Sequence, residues 1–101
     1  MINIVSLRRT CPAFPSQWEA ETDDGRGVLI HYKRTILTVS YLGPNRRGRV
    51  ENFFRATLTA ADFVDGEMYD DSFAEFPTIK SVLVTAGVLS FPEWMDIPDD
   101  F

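Results

Sequence analysis

The sequence predicts a small α+β domain: an antiparallel β-sheet of three to five strands in a meander, with one principal α-helix packed on one face. Three observations lead there. Segments within residues 17–42 alternate apolar and polar side chains with a period of two, and turn residues separate them. Residues 77–86 change to helical spacing and end at Gly87. The chain has 101 residues, enough for one domain with one modest core.

The elements follow in order. Residues 3–7 form an apolar run suited to a strand. Pro12 and Pro15 place residues 10–16 in a loop or at a sheet edge, because proline cannot donate to a central ladder. Residues 17–22 set Trp18, Ala20 and Thr22 on one face, and residues 28–33 do the same with Val28, Ile30 and Tyr32. Between them, Asp23-Asp24-Gly25-Arg26-Gly27 supplies a hairpin turn. A reversal near Lys33-Arg34-Thr35, which lacks glycine, leads into a β-branched and aromatic strand at 36–42. Gly43-Pro44-Asn45 ends it.

Residues 50–58 read as one more strand, with helix as the alternative because Phe53, Phe54 and Leu58 also fit helical spacing. As a strand, Val50, Asn52, Phe54, Ala56 and Leu58 share one face, opposite Glu51, Phe53, Arg55 and Thr57. Thr59 and Asp62 suggest a shortened capping box and a brief helical turn to about Val64. The principal helix is expected at 77–86, with Ile79, Val82, Leu83 and Ala86 as its apolar stripe. Residues 88–91 suit a short strand. The reading divides the chain into a compact domain, 1–92, and an acidic, aromatic tail, 93–101.

Charge is unevenly spread. Residues 1–50 hold eight Lys/Arg against four Asp/Glu, net +4, while residues 51–101 hold two against eleven, net −9. Cys11 is the single cysteine, so no intramolecular disulfide forms and a reducing, cytoplasmic setting is expected. The N-terminal MINIVSLRRTCP places its arginines after a short apolar run, the reverse of a secretory signal. No apolar stretch approaches the roughly 18 residues of a membrane span, so no membrane association is expected.

Little points to catalysis. One Cys and one His cannot make a zinc site, which needs three or four such ligands, and Gly66 is misplaced for an EF-hand loop. Cys11 and His31 could meet as a nucleophile and base, but His31 reads more simply as a packed or surface strand residue. The chain has no GxGxxG, P-loop or nucleophile elbow. We expect no enzyme activity, metal or cofactor.

Binding is the better reading. The acidic half offers Asp65, Glu67, Asp70, Asp71, Glu75 and Asp96, together with Trp94, as a face for a protein partner with a basic surface. The role would be that of a small inhibitor or adaptor docking on nucleic-acid-handling machinery. Trp94 either folds back to seal the sheet or stands out as an aromatic anchor. Charge polarity also suits a homo-oligomer, the +4 half of one copy against the −9 half of another. The alternative function is nucleic-acid or phosphate-ligand binding through Arg46, Arg47 and Arg49, with Phe53 beside them. Arg8, Arg9, Arg26, Lys33 and Arg34 would enlarge that patch if the hairpin ends converge. Eleven acids in the second half oppose a polyanion, so nucleic acid ranks below protein.

Overall fold

The computed structural model describes residues 2–11, 16–43, 48–63 and 74–95. These contain β1 (Ile2–Cys11), β2 (Ser16–Thr22), β3 (Gly27–Lys33), β4 (Ile36–Leu42), β5 (Arg49–Thr57), a 3-10 turn (Ala60–Asp62), α1 (Phe76–Thr85) and β6 (Leu89–Ser90). The architecture is α+β, a curled mixed sheet with one helix. Its six strands, ordered β5-β4-β3-β2-β1-β6, exceed the three to five expected. The first five pair antiparallel as a meander, and β6 adds parallel beside β1. That last pairing joins Ile2 to Leu89 and Asn3 to Ser90. No local pattern announces so short and distant a contact.

Register explains the core. Trp18 faces Ile30 and Ile30 faces Val39, while Ala20, Val28, Tyr32 and Leu37 fall on the same side. These residues are buried together with Phe76, Ile79 and Leu83 of α1, and with Ile4 and Leu89. Each such large side chain taken fully out of water contributes about 1.5–3 kcal/mol. The Trp18 indole meets Phe76 edge-on at 5.2 Å, which ties helix to sheet.

The sequence misplaces three details. β1 runs on to Cys11 instead of stopping near Leu7, because β2 completes its ladder through Arg9↔Trp18 and Cys11↔Gln17. β5 is a strand and not a helix, but a bulge lies between its Val39↔Phe54 and Ser40↔Asn52 pairs. The extra residue, Phe53, therefore packs on the core side with Phe54, and Asn52 turns to the opposite face to accept a hydrogen bond from the Ser40 hydroxyl. In α1, Phe76 joins the buried stripe and Ala86 is exposed.

Two reversals are structurally specific. The β3–β4 hairpin turns on Arg34 and Thr35, at φ +52° and +65°, a two-residue turn of type I′. Thr35 is held there by the Leu58 N–H, which donates to its carbonyl at 2.7 Å. Helix α1 ends where Gly87, at φ +72°, donates to the Val84 carbonyl and Val88 donates to that of Leu83, each at 3.0 Å. Among the described residues no helix is long and apolar enough to cross a membrane.

Candidate functional site

Of the acidic docking residues, Asp65, Glu67, Asp70, Asp71 and Asp96 lie outside the described residues, as do Arg46 and Arg47. Glu75 occupies the N-cap position of α1 and is exposed; its side chain makes no capping bond. An acidic residue is electrostatically favourable at this end of a helix.

Trp94 is 72% exposed. It does not seal the sheet. The turn that carries it is closed by the Met95 N–H, which donates to the Pro92 carbonyl at 3.1 Å. Both flanks are anchored. Phe91 meets Phe76 edge-on at 5.4 Å, and Met95 is half-buried against the core. The same Phe91–Phe76 contact ties the first turn of α1, preceded by Glu75, to the segment leading to Glu93 and Trp94. The indole is thus displayed on a braced turn.

Phe53 is half-buried and tilted against Tyr41 at 4.6 Å, packed with the core. Arg49 pairs with Leu42 at the far end of β4 from Arg34. Because β4 has seven residues, roughly 23 Å of strand lies between those ends. Arg49 therefore joins the sheet at the opposite end of β4 from Lys33 and Arg34.

Other arginines of the basic half are engaged locally. Arg8 pairs with Glu19 at 2.5 Å. Arg9 lies over the Trp18 ring at 5.0 Å, and Arg26 over that of Tyr41 at 3.5 Å. The Asp24 carboxyl sits below its ordinary value of 3.8, chiefly because the Thr22 hydroxyl donates to it. The Arg26 backbone N–H donates in turn to that hydroxyl at 2.9 Å, which closes the β2–β3 turn.

Cys11 faces Gln17, and Gln17 faces His31. Two strand spacings, about 10 Å, separate the Cys11 and His31 backbones, with Gln17 between them. Among the described residues no three His, Cys, Asp or Glu side chains gather into a metal-binding group.

One grouping escaped the sequence reading. His31, Lys33 and Arg34 converge with Thr38, Asn52 and Arg55 around an open depression on the sheet face opposite the core. Lys33-Arg34 was visible as a basic pair. Arg55, however, lies 21 residues after Arg34 on another strand, and it arrives only through the Thr38↔Arg55 register.

No known family model matches the chain, and no curated protein or solved structure proved similar to it.

Proposed function

We propose that the chain is a non-enzymatic binding protein of the cytoplasm, an adaptor or inhibitor that docks its acidic half on a basic surface of a partner protein. The observation that carries this reading is Trp94, displayed at 72% exposure on a turn pinned at both flanks. A held indole loses little further freedom on binding, and aromatic anchors dominate interface energetics. Glu93 beside it is exposed, and the second half of the chain carries net charge −9, from eleven acids against two bases. An apolar anchor in an acidic stretch of sequence favours a partner pocket rimmed by Lys and Arg, where complementary potentials speed encounter and fix orientation.

The test is affinity capture from native host lysate, with and without nuclease, comparing the natural chain with Trp94→Ala. A nuclease-resistant protein should be recovered by the natural chain and lost from the variant. An anchor of this kind is worth about 2 kcal/mol or more, roughly 30-fold in affinity. Reversing Asp70 and Asp71 to lysine should then slow association with the recovered partner. Equal recovery by the variant removes Trp94 from the interface. Recovery abolished by nuclease favours the arginine loop at 46–49 instead.

A further inference from the structure

Several aromatic rings of this fold are met by cations of the chain itself. The Arg26 guanidinium lies over Tyr41 at 3.5 Å, and that of Arg9 over Trp18 at 5.0 Å. The Lys80 ammonium stands 6.0 Å from the centre of the Phe91 ring. These distances fall within the roughly 6 Å over which the negative face of a ring attracts a cation. Both arginines sit closer than the lysine. A planar, weakly hydrated guanidinium can stack on a ring, whereas a compact ammonium holds its water more tightly.

Trp94 offers the same chemistry in a stronger form. Its indole is 72% exposed, and indole is the best of the aromatic faces for a cation. Residues 51–101 contain two bases, and both are placed elsewhere: Lys80 over Phe91, and Arg55 beside Thr38 on β4. Glu93 is also exposed and immediately precedes Trp94 in the turn, with about 3.8 Å between their Cα atoms. A surface that closes over this turn meets both groups. A purely apolar one would take the carboxylate out of water with nothing in exchange, which is unfavourable. One arginine satisfies both, because its flat face stacks on the indole while its N–H edge donates to the carboxylate.

We propose that the Trp94 turn receives an arginine side chain of the partner protein, stacked on the indole and hydrogen-bonded to Glu93. This deepens the docking function proposed above and rests on it, since it names the group that the partner presents. The net charge of −9 on residues 51–101 draws such a segment in. The same charge repels phosphates, so the occupant is a basic stretch of protein and not a nucleic acid. The Met95–Pro92 bond and the Phe91–Phe76 contact hold the turn before the partner arrives, so little order remains to be imposed on binding.

The test is a 1H–15N correlation titration of the full chain with a short peptide of alternating glycine and arginine, at constant ionic strength. The control is its citrulline counterpart, which keeps the planar shape but carries no charge. Saturable shifts are expected at the Trp94 indole N–H and at the amides of Glu93, Trp94 and Met95, with the citrulline peptide about fivefold weaker or more. Trp94→Leu keeps an apolar side chain but removes the ring, and should weaken the arginine peptide about fivefold. Trp94→Phe should lose less, and Glu93→Gln should lose severalfold. Both positions are exposed, so the fold should persist. Equal binding of the two peptides, shifts scattered over acidic residues without a centre at the turn, or binding unchanged in Trp94→Leu overturns the proposal. Capture of the natural partner separates this failure from that of the docking function. Capture lost in Trp94→Ala but kept in Trp94→Leu leaves an apolar anchor standing and overturns the arginine contact. Capture equal for the natural chain and both variants removes the Trp94 interface itself.

Discussion

Replacing Thr35 with glycine should make the protein more stable, although it removes a side chain and a hydrogen bond. Thr35 is β-branched and sits at φ +65°, immediately after Arg34 at +52°. In left-handed backbone the Cβ crowds the following carbonyl, at a cost of roughly 1–2 kcal/mol for an L-residue. Glycine removes that strain but has more freedom to lose on folding, about 0.5–1 kcal/mol. The Thr35 hydroxyl donates to the Arg34 carbonyl at 2.5 Å in an exposed setting, where water can replace it. The Leu58 N–H bond to the Thr35 carbonyl uses only the backbone and survives. The net gain is about 0.5–1 kcal/mol, and for a domain of this size 1 kcal/mol corresponds to about 4–8 °C in Tm. Urea unfolding should show a higher midpoint with an unchanged slope. A midpoint that stays or falls would refute the claim that the turn is strained.

Further outcomes follow from individual contacts. Ser16→Ala should cost about 1–3 kcal/mol in urea unfolding, because the buried Ser16 Oγ accepts from the Ala74 N–H at 3.0 Å and that donor would lose its partner. Gly87→Ala should destabilise by about 1 kcal/mol through its positive φ alone; no atom lies within 4 Å of the added Cβ, so a larger loss would point to a clash instead. Asp24 should titrate below 3.8 by carbon-detected NMR, and Thr22→Val should return it toward that value. Its folded pKa lies below the unfolded one, so its contribution is present above 3.8 and is lost as pH falls through the folded value. Trp94 fluorescence should be quenched freely by acrylamide, leaving a protected component from the fully buried Trp18.

The middle of the fold was legible because its signals are local. β2, β3 and β4 begin and end within a residue of where alternation and turn chemistry place them, and Trp18 and Ile30 bury the predicted face. The misses arise from contacts between distant segments. Arg9 reads as a surface residue and ends an apolar run, yet its guanidinium covers the Trp18 ring and the strand continues through it. Strict alternation sets Phe53 on the face opposite Phe54 because it has no place for a bulge, which only the partner strand defines. The helical spacing shows a stripe only from Ile79 onward, and Pro77 marks a helix start so strongly that it hides Phe76.

The site shows the same division. Arg46, Arg47 and Arg49 stand out because they are consecutive or nearly so, whereas Lys33, Arg34 and Arg55 meet through two registers that no single segment encodes. Trp94 offered two outcomes from its context. What decides between them is the Met95–Pro92 bond and the anchoring of Phe91 and Met95, which use the neighbours of Trp94 to fill the core and leave the indole outside.

The parallel strap of β6 on β1 has a consequence for how the chain is made. Ile2 and Asn3 are synthesised 87 positions before their partners, Leu89 and Ser90. At about 5–20 residues per second, that interval lasts on the order of several seconds. During it the meander can pair, but the start of β1 has an open edge and the core lacks Leu89, which is fully buried in the finished fold. Such an edge can recruit another strand. Nascent chains on neighbouring ribosomes would meet one another in that state, and a molecular chaperone has the same interval in which to reach them first.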